Sequence, residues 1–152
     1  MNYWLLKSEP NAYSIDDLMS EPKQTEHWDG IRNYQARNFM RDDMKKNDQA
    51  FFYHSNCDEP GIVGIVEVVR EAYPDYTALE PKSKYYDPKS SAENNRWVMV
   101  DVKFKQKFVR TITLKELKDN RKLTDMRLVQ KGSRLSIMPV TKKEWEIIIA
   151  LA

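Results

Sequence analysis

The run at residues 62–69, Ile-Val-Gly-Ile-Val-Glu-Val-Val, constrains this chain more than any other segment. β-Branched side chains favour an extended backbone, and a run with almost no polar alternation reads as a strand buried on both faces. Four more segments read as strands. Residues 3–7 open the chain, and the aromatic segment 50–54 follows a polar turn. Residues 96–110 alternate: Val98, Val100, Val102, Phe104 and Phe108 fall on one face, and Trp97, Met99, Asp101, Lys103, Lys105 and Lys107 on the other. A short strand over 134–138 follows a Gly132-Ser133 turn.

Three helix starts share one chemistry. Ser14 with Asp17, Thr113 with Glu116, and Thr141 with Glu144 each set a hydroxyl three residues before a carboxylate. The hydroxyl accepts from a free N–H of the first turn while the acid reaches back. Apolar pairs at staple spacing flank each box: Tyr13 with Leu18, Ile112 with Leu117, Val140 with Trp145. These predict helices over 14–20, 113–119 and 141–150, the last packing Trp145, Ile148 and Ile149 against the body. A fourth helix is expected over 34–45, capped by Asn33, with Ala36, Phe39, Met40 and Met44 on its core face. Five strands with helices set irregularly between them do not suit a doubly wound sheet. They predict one α+β domain over 1–152 with a small, strongly curved or closed mixed sheet. Residues 74–95 are polar, contain Pro74, Pro81 and Pro88, and show no periodicity. A loop this long in a compact domain is often functional.

Charge narrows the function. With 25 basic and 23 acidic residues the net charge is +2, far from that of a protein held on nucleic acid mainly through phosphates. Local geometry would have to supply the affinity for such a partner. The single cysteine, Cys57, excludes an intramolecular disulfide and points to a reducing compartment. No apolar run approaches the ~20 residues that span a bilayer, and the apolar start ends at Lys7. A cytoplasmic protein with no membrane partner is expected, nuclear if the source is a eukaryote.

Catalytic and metal signals are sparse. Two histidines and one cysteine make no Cys/His cage, and there is no Gly-rich phosphate loop, so no metal or cofactor is expected. His54 and Cys57 could pair as base and thiol, but no third orienting group is evident, and an inert pair is preferred. Residues 28–38 are richer, with an indole, a phenol, two Asn, a Gln and two Arg. Aromatic faces stack on bases, and amides match a base edge. Arg37 and Arg41, one turn apart, could hold phosphates. Composition alone also allows Trp28 and Tyr34 to be core and the arginines solvated. His54-Ser55-Asn56 and Lys7-Ser8 are polar clusters at strand ends, suited to a pocket rim or equally to a capped turn. Lys103, Lys105 and Lys107, about 7 Å apart along one strand face, could track a phosphate backbone or simply face solvent.

Together these segments resemble the EVE domain family, a branch of the PUA-like fold. The matching pieces are Tyr3-Trp4-Leu5-Leu6-Lys7-Ser8-Glu9-Pro10, the stretch from Trp28-Asp29-Gly30 to Asn38-Phe39-Met40, Phe52-Tyr53-His54-Ser55-Asn56, Gly61-Ile62-Val63-Gly64, Tyr86-Asp87-Pro88-Lys89 and Arg134-Leu135-Ser136-Ile137-Met138-Pro139-Val140. One departure is Asn95, where the family pattern has Pro. The resemblance implies a five-stranded barrel-like sheet with surrounding helices. It also implies a cleft that reads a nucleobase, modified cytosine in DNA or a modified base in RNA. Carried over by motif, that pocket holds Lys7, Ser8, Trp28, Asn33, Tyr34, His54, Ser55, Asn56, Arg134 and Ser136, with Trp28 as the stacking aromatic. Phosphates would fall to Arg37, Arg41, Lys103, Lys105 and Lys107. The expected protein is a non-catalytic, monomeric reader of a modified or unpaired base. The alternatives are an enzyme on a modified base using His54 or Cys57, and a protein-interaction module using the helix at 141–150.

Overall fold

The computed structural model describes residues 1–132 and 134–152. Six strands pair in the order β2-β5-β4-β3-β1-β6. They are β1 (Tyr3–Ser8), β2 (Thr25–Trp28), β3 (Gln49–His54), β4 (Gly61–Pro74), β5 (Val98–Thr113) and β6 (Ile137–Val140). β1 and β3 run parallel, and the other neighbours are antiparallel. This corrects the five-stranded, barrel-like expectation. β2 is a sixth strand, pairing Trp28 with Val100 of β5. Its Thr-Glu-His-Trp sequence is too short and polar to carry a period-2 signal. β2 and β6 each have a single partner, so the sheet stays open.

Alternation along the strands sends side chains to two faces, and each face has its own core. Trp4, Leu6, Phe52, Val66 and Val68 lie on the first, covered by Ile15 and Leu18 of α1 (Ile15–Met19) and by Met40 and Met44. Leu5, Phe51, Tyr53 and Ile65 lie on the second, under Leu117 of α3 (Leu114–Asp119) and Trp145 and Ile148 of α4 (Lys142–Leu151). The run at 62–69 is therefore covered on both sides, as its composition demands. Ile149 departs from expectation and turns outward, at 38% exposure.

β5 does not keep one apolar face. Opposite the consecutive residues Ile65 and Val66 stand Gln106 and Phe104, which leaves Lys105 as an extra residue. A bulge of this kind exchanges the two faces of a strand. Val100 and Val102 belong to the first core, whereas Phe108 and Ile112 belong to the second. The lysines are split with them. Lys103 alternates away from the first core, while Lys107 reaches Asp16 on α1, which covers that core.

The helix starts follow the capping chemistry. Ser14 and Thr141 form complete capping boxes. Thr113 caps Glu116 N–H, but the Glu116 carboxylate pairs with Arg110 instead of closing its box. The expected helix over 34–45 is α2 (Tyr34–Asn38) followed by a π turn at Phe39–Asp43, where Met44 N–H donates to Phe39 O at 2.9 Å. The wider turn lets both Met40 and Met44 bury completely. At the far end β6 begins at Ile137, so Arg134 and Ser136 precede the strand. Gly132 has the positive φ of a turn residue (81°), and Ser133 lies outside the described residues.

Candidate functional site

A cleft of about 650 Å³ opens beside the C-terminal ends of the parallel strands β1 and β3. Two backbone bonds join its rim. Lys7 N–H donates to Ser136 O (2.8 Å), and Ser55 N–H donates to Ser8 O (3.0 Å). They bring Lys7, Ser8, Ser55, Arg134 and Ser136 together, and β2 adds Glu26, His27 and Trp28. The turn Asp29-Gly30-Ile31 and the pair Lys84-Tyr85 complete the walls with Tyr13.

The turn at 29–31 is held by a carboxylate far away in sequence. Asp75 is fully buried and accepts from Gly30 N–H (3.0 Å), the Arg32 guanidinium (3.1 Å) and Thr77 N–H (2.9 Å), as well as the Thr77 hydroxyl. Arg32 also donates twice to Tyr85 O, at 2.8 and 3.0 Å, and its guanidinium lies over the Tyr85 and Trp97 rings. Gly30 sits at φ +78°, and a Cβ there would meet the Tyr85 ring at 2.5 Å. These contacts fold the long loop back onto the cleft. Asn95 takes part: its amide donates to Asp75 O and accepts from Trp97 N–H.

Charge in the cleft is balanced. Lys7, Lys84 and Arg134 face Glu9, Glu26 and Asp29. Burial holds the Asp29 carboxyl above its ordinary range, against the opposing pull of His27, whose Nε2 is 3.9 Å away. Burial also lowers the Lys7 ammonium pKa. Trp28 is only 7% exposed and packs edge-on against Phe52 at 5.4 Å. Trp4 and Trp97 donate their indole N–H groups to Asp48 and Asp87. No such bond engages Trp28 among the described residues, yet no buried side-chain nitrogen or oxygen there lacks a partner. Trp28 is mostly core and offers little face for stacking, which suits Tyr13 and Tyr85 better, both half-buried in the walls.

Of the ten residues expected in the pocket, Lys7, Ser8, Trp28, Ser55, Arg134 and Ser136 line this cleft. Four do not. Asn33 is consumed as the cap of α2, accepting from Ala36 N–H at 3.0 Å. Tyr34 stacks on Trp97 at 4.9 Å, under the Arg37 guanidinium. His54 uses Nε2 to accept from Ile15 N–H (3.1 Å), and burial lowers its pKa. Asn56 donates to the Glu9 carboxylate at 2.7 Å. Most of the expected phosphate contacts are engaged too. Arg41 pairs with Asp42, Lys105 with Glu67 and Lys107 with Asp16. Arg37 donates to Asn38 and to Arg96 O, and Lys103 alone has no partner among the described residues. The cleft residues not anticipated are chiefly Tyr13, Glu26, His27, Asp29 and Tyr85. Asp29 lay inside the segment singled out by composition. Tyr85 gave no signal, because only the fold brings it to Gly30.

Among the described residues no cluster of His, Cys, Asp and Glu could hold a metal ion, and no helix is long and apolar enough to cross a membrane. The EVE domain family profile matches residues 2–151. Mouse thymocyte nuclear protein 1 is 47% identical over 99% of this chain and 73% of its own length. A crystal structure of a Pseudomonas syringae protein is 52% identical, covers 98% of both chains and superposes with a TM-score of 0.94. Human thymocyte nuclear protein 1, solved in complex with DNA containing 5-methylcytosine, is 46% identical over 99% of this chain and 97% of that one, also with a TM-score of 0.94. With nearly its whole length matched, the chain belongs to the EVE domain family.

Proposed function

We propose that this chain is a non-catalytic nucleic-acid-binding module that holds one modified or unpaired base in the cleft. The observation that carries the reading is a cleft of balanced charge whose lining includes both the Trp28 indole and the part-buried Asp29 carboxyl. A base is uncharged and presents donors and acceptors on one edge. An acidic side chain suits the exocyclic amine of cytosine, and an apolar one suits a ring methyl. Asp29 would accept from that amine, Trp28 would donate to the ring carbonyl, and Ile31 would meet a 5-methyl group. Tyr13 and Tyr85 would flank the ring, with Lys7, Ser8, Ser55, Arg134 and Ser136 bonding its remaining polar atoms or sugar. The volume lies within the roughly 300–1,000 Å³ usual for small-ligand sites. The human relative's complex with 5-methylcytosine-containing DNA supports the ligand class.

Base extrusion costs a few kcal/mol, least at damaged or unpaired sites, so preference for such sites follows. The reader would act as a monomer, in the cytoplasm or, as the eukaryotic relatives' name suggests, in a nucleus. An enzyme using His54 or Cys57 finds no support, because His54 Nε2 is taken by the Ile15 N–H. Calorimetric titration with 5-methyl-2′-deoxycytidine and deoxycytidine tests the proposal. Trp28→Phe and Asp29→Asn should each weaken the methylated nucleoside by about 1–3 kcal/mol. Equal binding by the wild type and both variants would remove these residues from the base edge.

A further inference from the structure

A second groove, of about 450 Å³, lies on the other side of Lys7. Its walls include Tyr53, Leu128, Lys118, Lys131 and Gly132, and Lys7 lines both this groove and the cleft. The two concavities differ in charge. The cleft sets three carboxylates against its three cations, whereas the second groove is lined by three lysines and no carboxylate. We propose that the nucleic-acid strand flanking the bound base passes over Lys7 into this groove, where Lys118 and Lys131 hold its phosphates.

The proposal rests on the base-binding reading of the cleft and extends it to the backbone. Phosphate contacts fix the register of a bound strand, and they require cations that are free to serve. Arg41, Lys105 and Lys107 each already face a carboxylate, at 2.8, 3.2 and 2.8 Å. No ion pair engages Lys7, Lys118 or Lys131 among the described residues. Lys7 is half-buried with its ammonium 5.7 Å from the Tyr53 ring centre, so it meets an anion already partly stripped of water. Gly132 opens the far end, since a Cβ built there meets nothing within 4 Å. The chain as a whole carries only +2, so a carboxylate-free groove beside a balanced cleft is a local feature and not a diffuse basic surface.

Lys118 and Lys131 are both exposed, so Lys118→Gln/Lys131→Gln should fold as the wild type does, with thermal unfolding as the check. Binding of a fluorescein-labelled single strand with one central 5-methylcytosine is measured by anisotropy across a salt series. Each phosphate contact on a single strand contributes about 0.7 to the slope of log affinity against log salt. The double variant should lose about 1.4 from that slope and bind the strand several-fold more weakly, while its affinity for free 5-methyl-2′-deoxycytidine stays unchanged. An unchanged slope, or an equal loss in Lys103→Gln, would overturn the proposal. So would selective loss of polyglutamate binding with the oligonucleotide slope intact, which would make the groove an acidic-peptide site. Failure of the wild type to bind the free nucleoside would instead count against the base-binding reading, which the slope does not measure.

Discussion

Asp75 lies outside the cleft yet shapes it, through its bonds to Gly30, Arg32 and Thr77. Asp75→Ala would deprive the Arg32 cation of its carboxylate and leave the part-buried Gly30 and buried Thr77 N–H groups without an acceptor. Removing one partner of a buried ion pair costs about 3–5 kcal/mol. Urea unfolding should show a loss of that size, and Asp75→Asn, which keeps the shape, should recover part of it. Stability within about 1 kcal/mol of wild type for Asp75→Ala would contradict the role. His54 carries a pH prediction. Its folded pKa lies below the ordinary 6.5, because burial disfavours the charged ring and Nε2 already accepts from Ile15 N–H. Below 6.5 the unfolded chain therefore binds more protons than the folded one. The stability His54 contributes is complete above that pH and drains away as pH falls towards the folded pKa. Wild type should lose more stability between neutral and mildly acidic pH than His54→Gln, and parallel curves for the two would refute this. Six of the cleft's lining residues were named in advance through the family resemblance, because composition and strand ends alone left Trp28, Lys7, Ser8 and Ser55 open and Arg134 and Ser136 unmarked. Asn33 and Asn56 lie outside the cleft's lining for a physical reason: a short polar side chain looks the same in sequence whether it waits for a ligand or bonds within its own chain.

At the scale of elements, α4 is where sequence and structure agree most closely. The Thr141–Glu144 box starts it, and Trp145 stacks between Tyr3 (4.5 Å) and Phe51 (4.0 Å). Trp145→Ala should cost about 3–5 kcal/mol through loss of a large buried ring. Thr141→Ala should cost about 1 kcal/mol through loss of a single cap. Chemical denaturation reads both, and comparable losses would mean that packing does not dominate this helix. Capping boxes are legible because every partner lies within three residues. β2 and the β5 bulge were not. β2 is a strand only because β5 offers it a partner, and the bulge exists only in the register between β4 and β5. The expected single face of 96–110 failed for that reason, and Lys107 parts from Lys103 with it.

For the whole molecule, the open sheet raises the question of its two edges. An exposed edge presents unpaired N–H and C=O groups and invites a second chain. Here both edge strands are four residues long, and Pro139 removes one donor from β6. β2 carries Glu26 and His27 at its centre in place of an apolar run. Among the described residues both faces of the sheet are already covered by the chain's own helices, so neither face is left for a partner copy. The chain should therefore remain a monomer of 18.0 kDa, and light scattering across a dilution series should return that mass throughout. On the proposed reading the same experiment with a saturating oligonucleotide should add one strand per chain, because Lys7 lines both the cleft and the lysine groove. A protein that doubles in mass on concentration would mean that one of these short edges pairs across copies. If β2 were that edge, dimerisation would involve a wall of the cleft, and the oligonucleotide should shift the equilibrium between the two masses.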